Sequence, residues 1–177
     1  MKKRRQGGFT LIELTLVMGI SVLVASGLIG MFNAHIQTLN QALKYKFLAQ
    51  DAPYIGLLLT RTIGNAEDYR IYLSGSAARS NGTPALTGSA VRLWMRQPNS
   101  TSQQAVISFE TINGQQGIYF FLADNTGAFS AKPWELAARS PVSLSGATFA
   151  FDSVSGLLLV TLNGSYYDQY TFAAEKK

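Results

Sequence analysis

Glu13 is the residue in this chain with the clearest chemical potential. It is the only charge in FTLIELTLVMGISVLVASGLIGMF, the 24 residues from Phe9 to Phe32. A carboxylate placed near the start of an apolar run is expensive to keep out of water and calls for a partner of opposite charge. No other constellation promises reactivity. His35 is the single histidine and has no second ligand type beside it, so it is read as a surface residue just above the membrane, with neither a metal nor a catalytic role. Glu67 and Asp68 are adjacent, so their side chains diverge on a helix or a strand and do not converge as a catalytic pair. One histidine cannot complete a Ser, His and Asp set, and the glycines follow no strand in a phosphate-cradling pattern. The reading is of a protein that is not an enzyme and holds no cofactor and no metal.

The element that must position Glu13 is a helix. Twenty-four residues span about 36 Å at about 1.5 Å per residue, enough to cross a hydrocarbon core of about 30 Å with some tilt. Lys2, Lys3, Arg4 and Arg5 precede it and stay on the cytoplasmic side, which sends the rest of the chain across the membrane. The same four residues account for the basic balance. The formal charge is +5, but without them 11 Lys and Arg face 10 acids, a net of +1, so the pI describes the leader and not the remainder. There is no cysteine, which excludes disulfides, thiolate metal sites and a Cys nucleophile.

Three readings of this segment compete. A secretory signal explains the basic start, and Ala25, Ser26 and Gly27 offer small residues for a cut, but the apolar run continues beyond them. A plain anchor explains the length and the flanking charge but has no use for Glu13. The third follows from Lys2–Arg5 together with Gly7, Gly8, Phe9, Thr10, Leu11, Ile12, Glu13 and Leu14. This run closely resembles the signal of type IV prepilins and type II secretion pseudopilins.

The resemblance implies cleavage after Gly8 by a prepilin peptidase, N-methylation of the new amino terminus at Phe9, and an assembly role for Glu13. That glutamate would pair with the terminal amine of a neighbouring subunit in the filament. The physics is consistent, since a carboxylate and an ammonium that are each costly in lipid become tolerable together. Gly30 falls where many major pilins carry a helix-breaking proline. Gly27 and Gly30 could allow local melting, while Ser21 with Ala25 and Ser26 with Gly30 could equally serve close helix packing.

Beyond Phe32, about 140 residues suffice for one modest core. The expected organisation is a leader at 1–8, a transmembrane and filament-core helix at 9–32, and an extracytoplasmic head at 33–177. Ile36, Leu39, Leu43 and Phe47 continue a helical stripe, and Asp51 followed by Ala52 and Pro53 reads as the cap and first turn of a second helix. Its stripe is Ile55, Leu58, Leu59, Thr62 and Ile63, with an end near Gly64 or Ala66. From Tyr69 the pattern turns β-rich, with 74–89 expected as a long loop. Candidate strands are 91–96, 105–112, 117–122, 147–151, 157–162 and 166–172. Asn163 and Gly164 form the clearest hairpin turn, with others at 113–116 and at Ser155 and Gly156.

Alternation predicts Val91, Leu93 and Met95 inward and Arg92, Trp94 and Arg96 outward. The outward stripe could be a platform for single-stranded nucleic acid, but a solvated face or a contact with another subunit is the preferred reading. Ile107, Phe109, Tyr119 and Phe121 are expected core partners. Tyr166, Tyr167 and Tyr170 are read as packing residues. The fold class is α+β, a long amino-terminal helix packed on an antiparallel sheet head.

The segment from Leu48 to Tyr69 faintly resembles minor pilins of the W type and J-type pseudopilins, which implies a scarce initiating subunit. Expected partners are the prepilin peptidase, other pilins or pseudopilins, and the inner membrane. A membrane-anchored adhesin or DNA receptor that never polymerises is the competing class.

Overall fold

The computed structural model describes residues 10–96, 102–138 and 144–175. Helix α1 runs from Leu11 to Lys46, followed without a break by a π-helical turn, Phe47–Asp51, and then by α2, Ala52–Gly64. The chain divides into two compact units, 1–42 and 43–177. In the first unit every described residue is exposed and no side chain finds a core. The helix that includes this stretch is long and apolar enough to cross a membrane.

Asp51 does not cap a new helix. Its backbone is helical and its side chain makes no capping bond. The expected break is replaced by the wide turn, in which the amide of Ala52 bonds to the carbonyl of Phe47. Pro53 supplies the physical reason. A proline within a helix lacks an N–H and crowds the carbonyl four residues back, and a π-turn just before it leaves room for the ring. The α2 stripe behaves as expected, with Ile55, Leu59 and Ile63 buried and Leu58 and Thr62 half-buried.

The second unit holds two antiparallel sheets. The first has the order β1-β3-β4-β5-β6, built from Ala66–Tyr72, Ala90–Arg96, Ser102–Ile112, Gln115–Leu122 and Trp134–Ala138. The second has the order β2-β7-β8-β9, from Thr87–Gly88, Leu144–Phe151, Leu158–Gly164 and Gln169–Ala174. The apolar faces of both sheets and of α2 share one core around Phe47, Leu59, Leu93, Ile107, Phe149 and Leu162. Gly56 allows α2 to approach β9, where Tyr170 and Phe172 lie within 3.4 Å of the position a β-carbon would take.

A second, smaller cluster covers the opposite face of the first sheet. The stretch 74–89 is not the open loop expected of it. It contains a short helix, α3, Gly75–Arg79, and the strand β2. Ala78 of α3 packs there with Tyr72, Val106, Tyr119 and Phe121. This corrects two inward assignments. Ile107 enters the main core and Phe109 packs against it, but in β5 the main core takes Ile118 and Phe120 while Tyr119 and Phe121 face the second cluster. The residues 118–121 are apolar throughout and both faces are covered, so alternation carries no phase there.

Arg92 is likewise buried and not solvated. Its guanidinium donates to the carbonyl of Ala78 at 3.1 Å and to the side-chain oxygens of Asn81 and Gln104, and it lies over the rings of Trp94 and Phe129. Trp94 is half-buried, with Arg70 above its ring, so neither Arg92 nor Trp94 stands open on a solvated face, and the Arg96 side chain lies outside the described residues.

Candidate functional site

The first described turn of α1 carries the site. Thr10 precedes the helix and Glu13 stands three residues on, and the two close on each other reciprocally. Glu13 Oε2 accepts from the Thr10 amide at 2.9 Å and from the Thr10 hydroxyl at 3.0 Å. Thr10 Oγ1 accepts from the Glu13 amide at 3.3 Å, and the Thr10 carbonyl accepts from the Leu14 amide at 3.1 Å. This is a capping box, in which two of the orphan amides at a helix start are satisfied by side chains. It explains why the helix begins at Leu11. The sequence Thr-Leu-Ile-Glu ahead of an apolar run was sufficient to reveal it, and reading Glu13 only as half of an ion pair overlooked it.

The cap gives the Glu13 carboxylate a role within its own helix. A plain anchor does have a use for an acid here, because the carboxylate closes the first turn and sits at the positive end of the helix dipole. Both bonds fall on Oε2, and among the described residues Oε1 accepts none. The carboxylate therefore keeps acceptor capacity for another donor.

Gly8 and Phe9, the expected cleavage and methylation positions, lie outside the described residues. Past Glu13, α1 continues unbroken through Gly27 and Gly30, where a β-carbon would meet nothing within 4 Å. Ser21, Ser26 and Thr38 bond back to carbonyls of their own helix at 2.8, 2.8 and 3.0 Å, which hides their hydroxyls from an apolar surrounding. His35 is exposed on the same helix. Exposed Leu, Ile, Val, Met and Phe side chains otherwise cover residues 11–32.

In the second unit, no group of three His, Cys, Asp or Glu residues converges among the described residues. Glu67 and Asp68 are exposed on β1, where a register shift interrupts the pairing. An ion pair between Arg79 and Glu110 ties α3 to β4. Burial pushes the Glu110 carboxyl up, but the hydrogen bonds from Arg79 and Ser108 and the Arg79 charge outweigh it and hold the group below its ordinary value.

Residues 3–29 match the family model described as the Prokaryotic N-terminal methylation motif. No curated protein and no solved structure gives a significant match to the chain. The motif, on a chain whose amino-terminal helix could span a membrane and whose head is antiparallel β, supports the class of type IV pilins and pseudopilins. It is the prepilin type of motif, and processing by a prepilin peptidase and assembly with other pilins go with it. It fits a structural role.

Proposed function

We propose that this chain is a structural subunit of a type IV pilus-like filament, cut after Gly8, N-methylated on Phe9, and assembled through its amino-terminal helix. In the filament the Glu13 carboxylate meets the freed amine of a neighbouring subunit. The observation that carries the reading is the methylation motif lying over an apolar helix whose described residues are exposed as far as Ala42. Such a surface needs lipid before assembly and other helices after it. With Lys2–Arg5 held in the cytoplasm, the head lies outside, in the periplasm or at the cell exterior. Helix α2 leading directly into β1 motivates the narrower reading of a minor pilin or pseudopilin that initiates the fibre. Equimolar abundance with the main component of purified filaments contradicts that narrower reading.

A second reading, a membrane-anchored binding module that does not polymerise, is favoured by the Thr10–Glu13 cap, which gives an anchor its own reason to hold an acid. Glu13→Gln separates the two. Glutamine serves the capping box as well as glutamate does but carries no charge for an amine. The anchor reading expects no effect, and the filament reading expects normal cleavage with loss of incorporation into sheared filaments. Mass spectrometry of the natural chain tests the processing itself. It should begin at methylated Phe9, and replacing Gly8 by leucine should leave the leader attached. A mature chain that still carries residues 2–8 defeats the proposal.

A further inference from the structure

The turn between β8 and β9 is closed by hydrogen bonds to Asp168 and leaves a tyrosine exposed at its tip. The Gly164 amide donates to the Asp168 carbonyl at 2.7 Å, and the Tyr166 amide donates to Asp168 Oδ1 at 3.1 Å. Asp168 is buried, and a β-carbon at residue 164 would stand 2.3 Å from its carboxylate, so the glycine permits this closure. At the tip, Tyr167 has φ of 61° and a side chain fully exposed to solvent. A bulky residue in the left-handed region is an outlier that a glycine or asparagine would avoid. Among the described residues, Tyr167 makes no hydrogen bond or ring contact to offset it.

At the other end of β8 lies a hollow. A groove of about 460 Å³ runs between β1 and the turn joining β7 to β8, lined by Tyr69, Ile71, Pro84, Leu86 and Phe151 with Arg70 at its side. Leu86 there is 74% exposed. Strand β8 leaves the groove end after Gly156 and reaches the Tyr167 turn after Gly164, about 20 Å further on. The aromatic projection and the apolar hollow thus sit at opposite ends of one strand.

We propose that Tyr167 of one copy docks into this groove on a second copy of the chain. A projection and a hollow on separate surfaces make a heterologous contact, which repeats along an axis instead of closing into a pair. Tyrosine suits such an anchor, with an apolar ring for Leu86 and Phe151 and a hydroxyl that the Arg70 guanidinium can meet at the rim. The inference rests on the filament reading and adds the contact between heads.

The absence of cysteine makes the test direct. Full-length chains carrying Tyr167→Cys are produced together with chains carrying Leu86→Cys in cells that assemble the filament, and oxidised with copper phenanthroline. The expected result is a disulfide-linked dimer at least tenfold above that from either variant alone. A dimer formed equally by Tyr167→Cys alone means a symmetric contact and overturns the proposal. No dimer, in sheared filaments whose chains begin at Phe9, overturns the docking and leaves the filament reading standing; no dimer with uncleaved, unassembled chains overturns both. Tyr167→Gly supplies an independent measurement. Glycine accepts the positive φ, so the thermal midpoint should hold or rise while filament incorporation falls at least tenfold, and undiminished incorporation refutes the docking.

Discussion

Arg79 grips Glu110 with both ends of its guanidinium, Nη1 to Oε1 at 2.6 Å and Nη2 to Oε2 at 3.1 Å. The same guanidinium lies 4.0 Å above the ring of Phe121, and Ser108 donates to Oε1 at 2.5 Å. Thirty-one residues separate the two partners, so the fork fastens the short α3 helix onto the first sheet.

The pH dependence follows from its sign. Glu110 is held below the ordinary value of 4.5, so the folded state favours the carboxylate more than the unfolded chain does. Its contribution is present above that value and is lost as the pH falls through the lower folded-state value. Thermal melts across pH 2 to 6 should show the wild-type midpoint dropping toward the acid end, with a shallower drop for Glu110→Gln. Parallel curves would mean that the fork adds nothing.

Thr10→Ala removes one half of the capping box and leaves the Glu13 charge in place. The first turn of α1 should lose about 1 kcal/mol, so amides at Glu13 and Leu14 should exchange hydrogen about fivefold faster in the detergent-solubilised chain. Amides near Ile36 should be unaffected, because capping acts within the first turn.

Gly88 faces the backbone of the first sheet. A β-carbon there would lie 1.9 Å from the Tyr72 carbonyl oxygen and 2.9 Å from the Leu73 α-carbon. Main chain cannot yield as a side-chain end does, so Gly88→Ala should destabilise the head at or beyond the upper end of the usual overpacking range of about 1–3 kcal/mol. Gly114, where nothing lies within 4 Å, makes a poor control because its φ is 79°. Gly27→Ala, in the open face of α1, is the better one and should leave the head's melting midpoint unchanged.

Phe47 sits in the π-helical turn and is 1% exposed, the largest side chain that this turn gives to the core. Phe47→Ala should cost about 3–5 kcal/mol in urea unfolding, a large share of the about 5–15 kcal/mol available to a domain. A cost below about 1 kcal/mol would show that the core closes without it.

The sequence was most legible where one face is dry and the other wet. The stripe of α2 and the inward set Val91, Leu93 and Met95 came from periodicity alone, and six strands were placed within a few residues of their observed bounds. Asn113 and Gly114, with φ of 51° and 79°, make the turn expected between β4 and β5. Asn163 and Gly164 do not, because Asn163 pairs with Gln169, both remain in β8, and the positive φ falls on Tyr167. Local turn preference gave way to a buried aspartate further along. β2, β6 and α3 are not legible as elements because each is short or polar, and their sheet or helix is imposed by a neighbour's edge. At the site, the type and position of Glu13 are plain, whereas its bond to Thr10 is legible only once the helix start is placed at Leu11, which the unbroken apolar run does not mark.

The order of strands in the second sheet bears on when the head can exist at all. Thr87 and Gly88 pair with Ala150 and Phe149, more than sixty residues later, and the meander that receives them runs to Ala174. The first sheet can zip up from sequential neighbours while synthesis proceeds, apart from the excursion that β2 makes. The shared core stays open on one side until the strand ending at Ala174 has been made. A ribosome stalled a few dozen residues early would therefore leave a tethered chain with half its interior wet, vulnerable to whatever protease patrols that compartment.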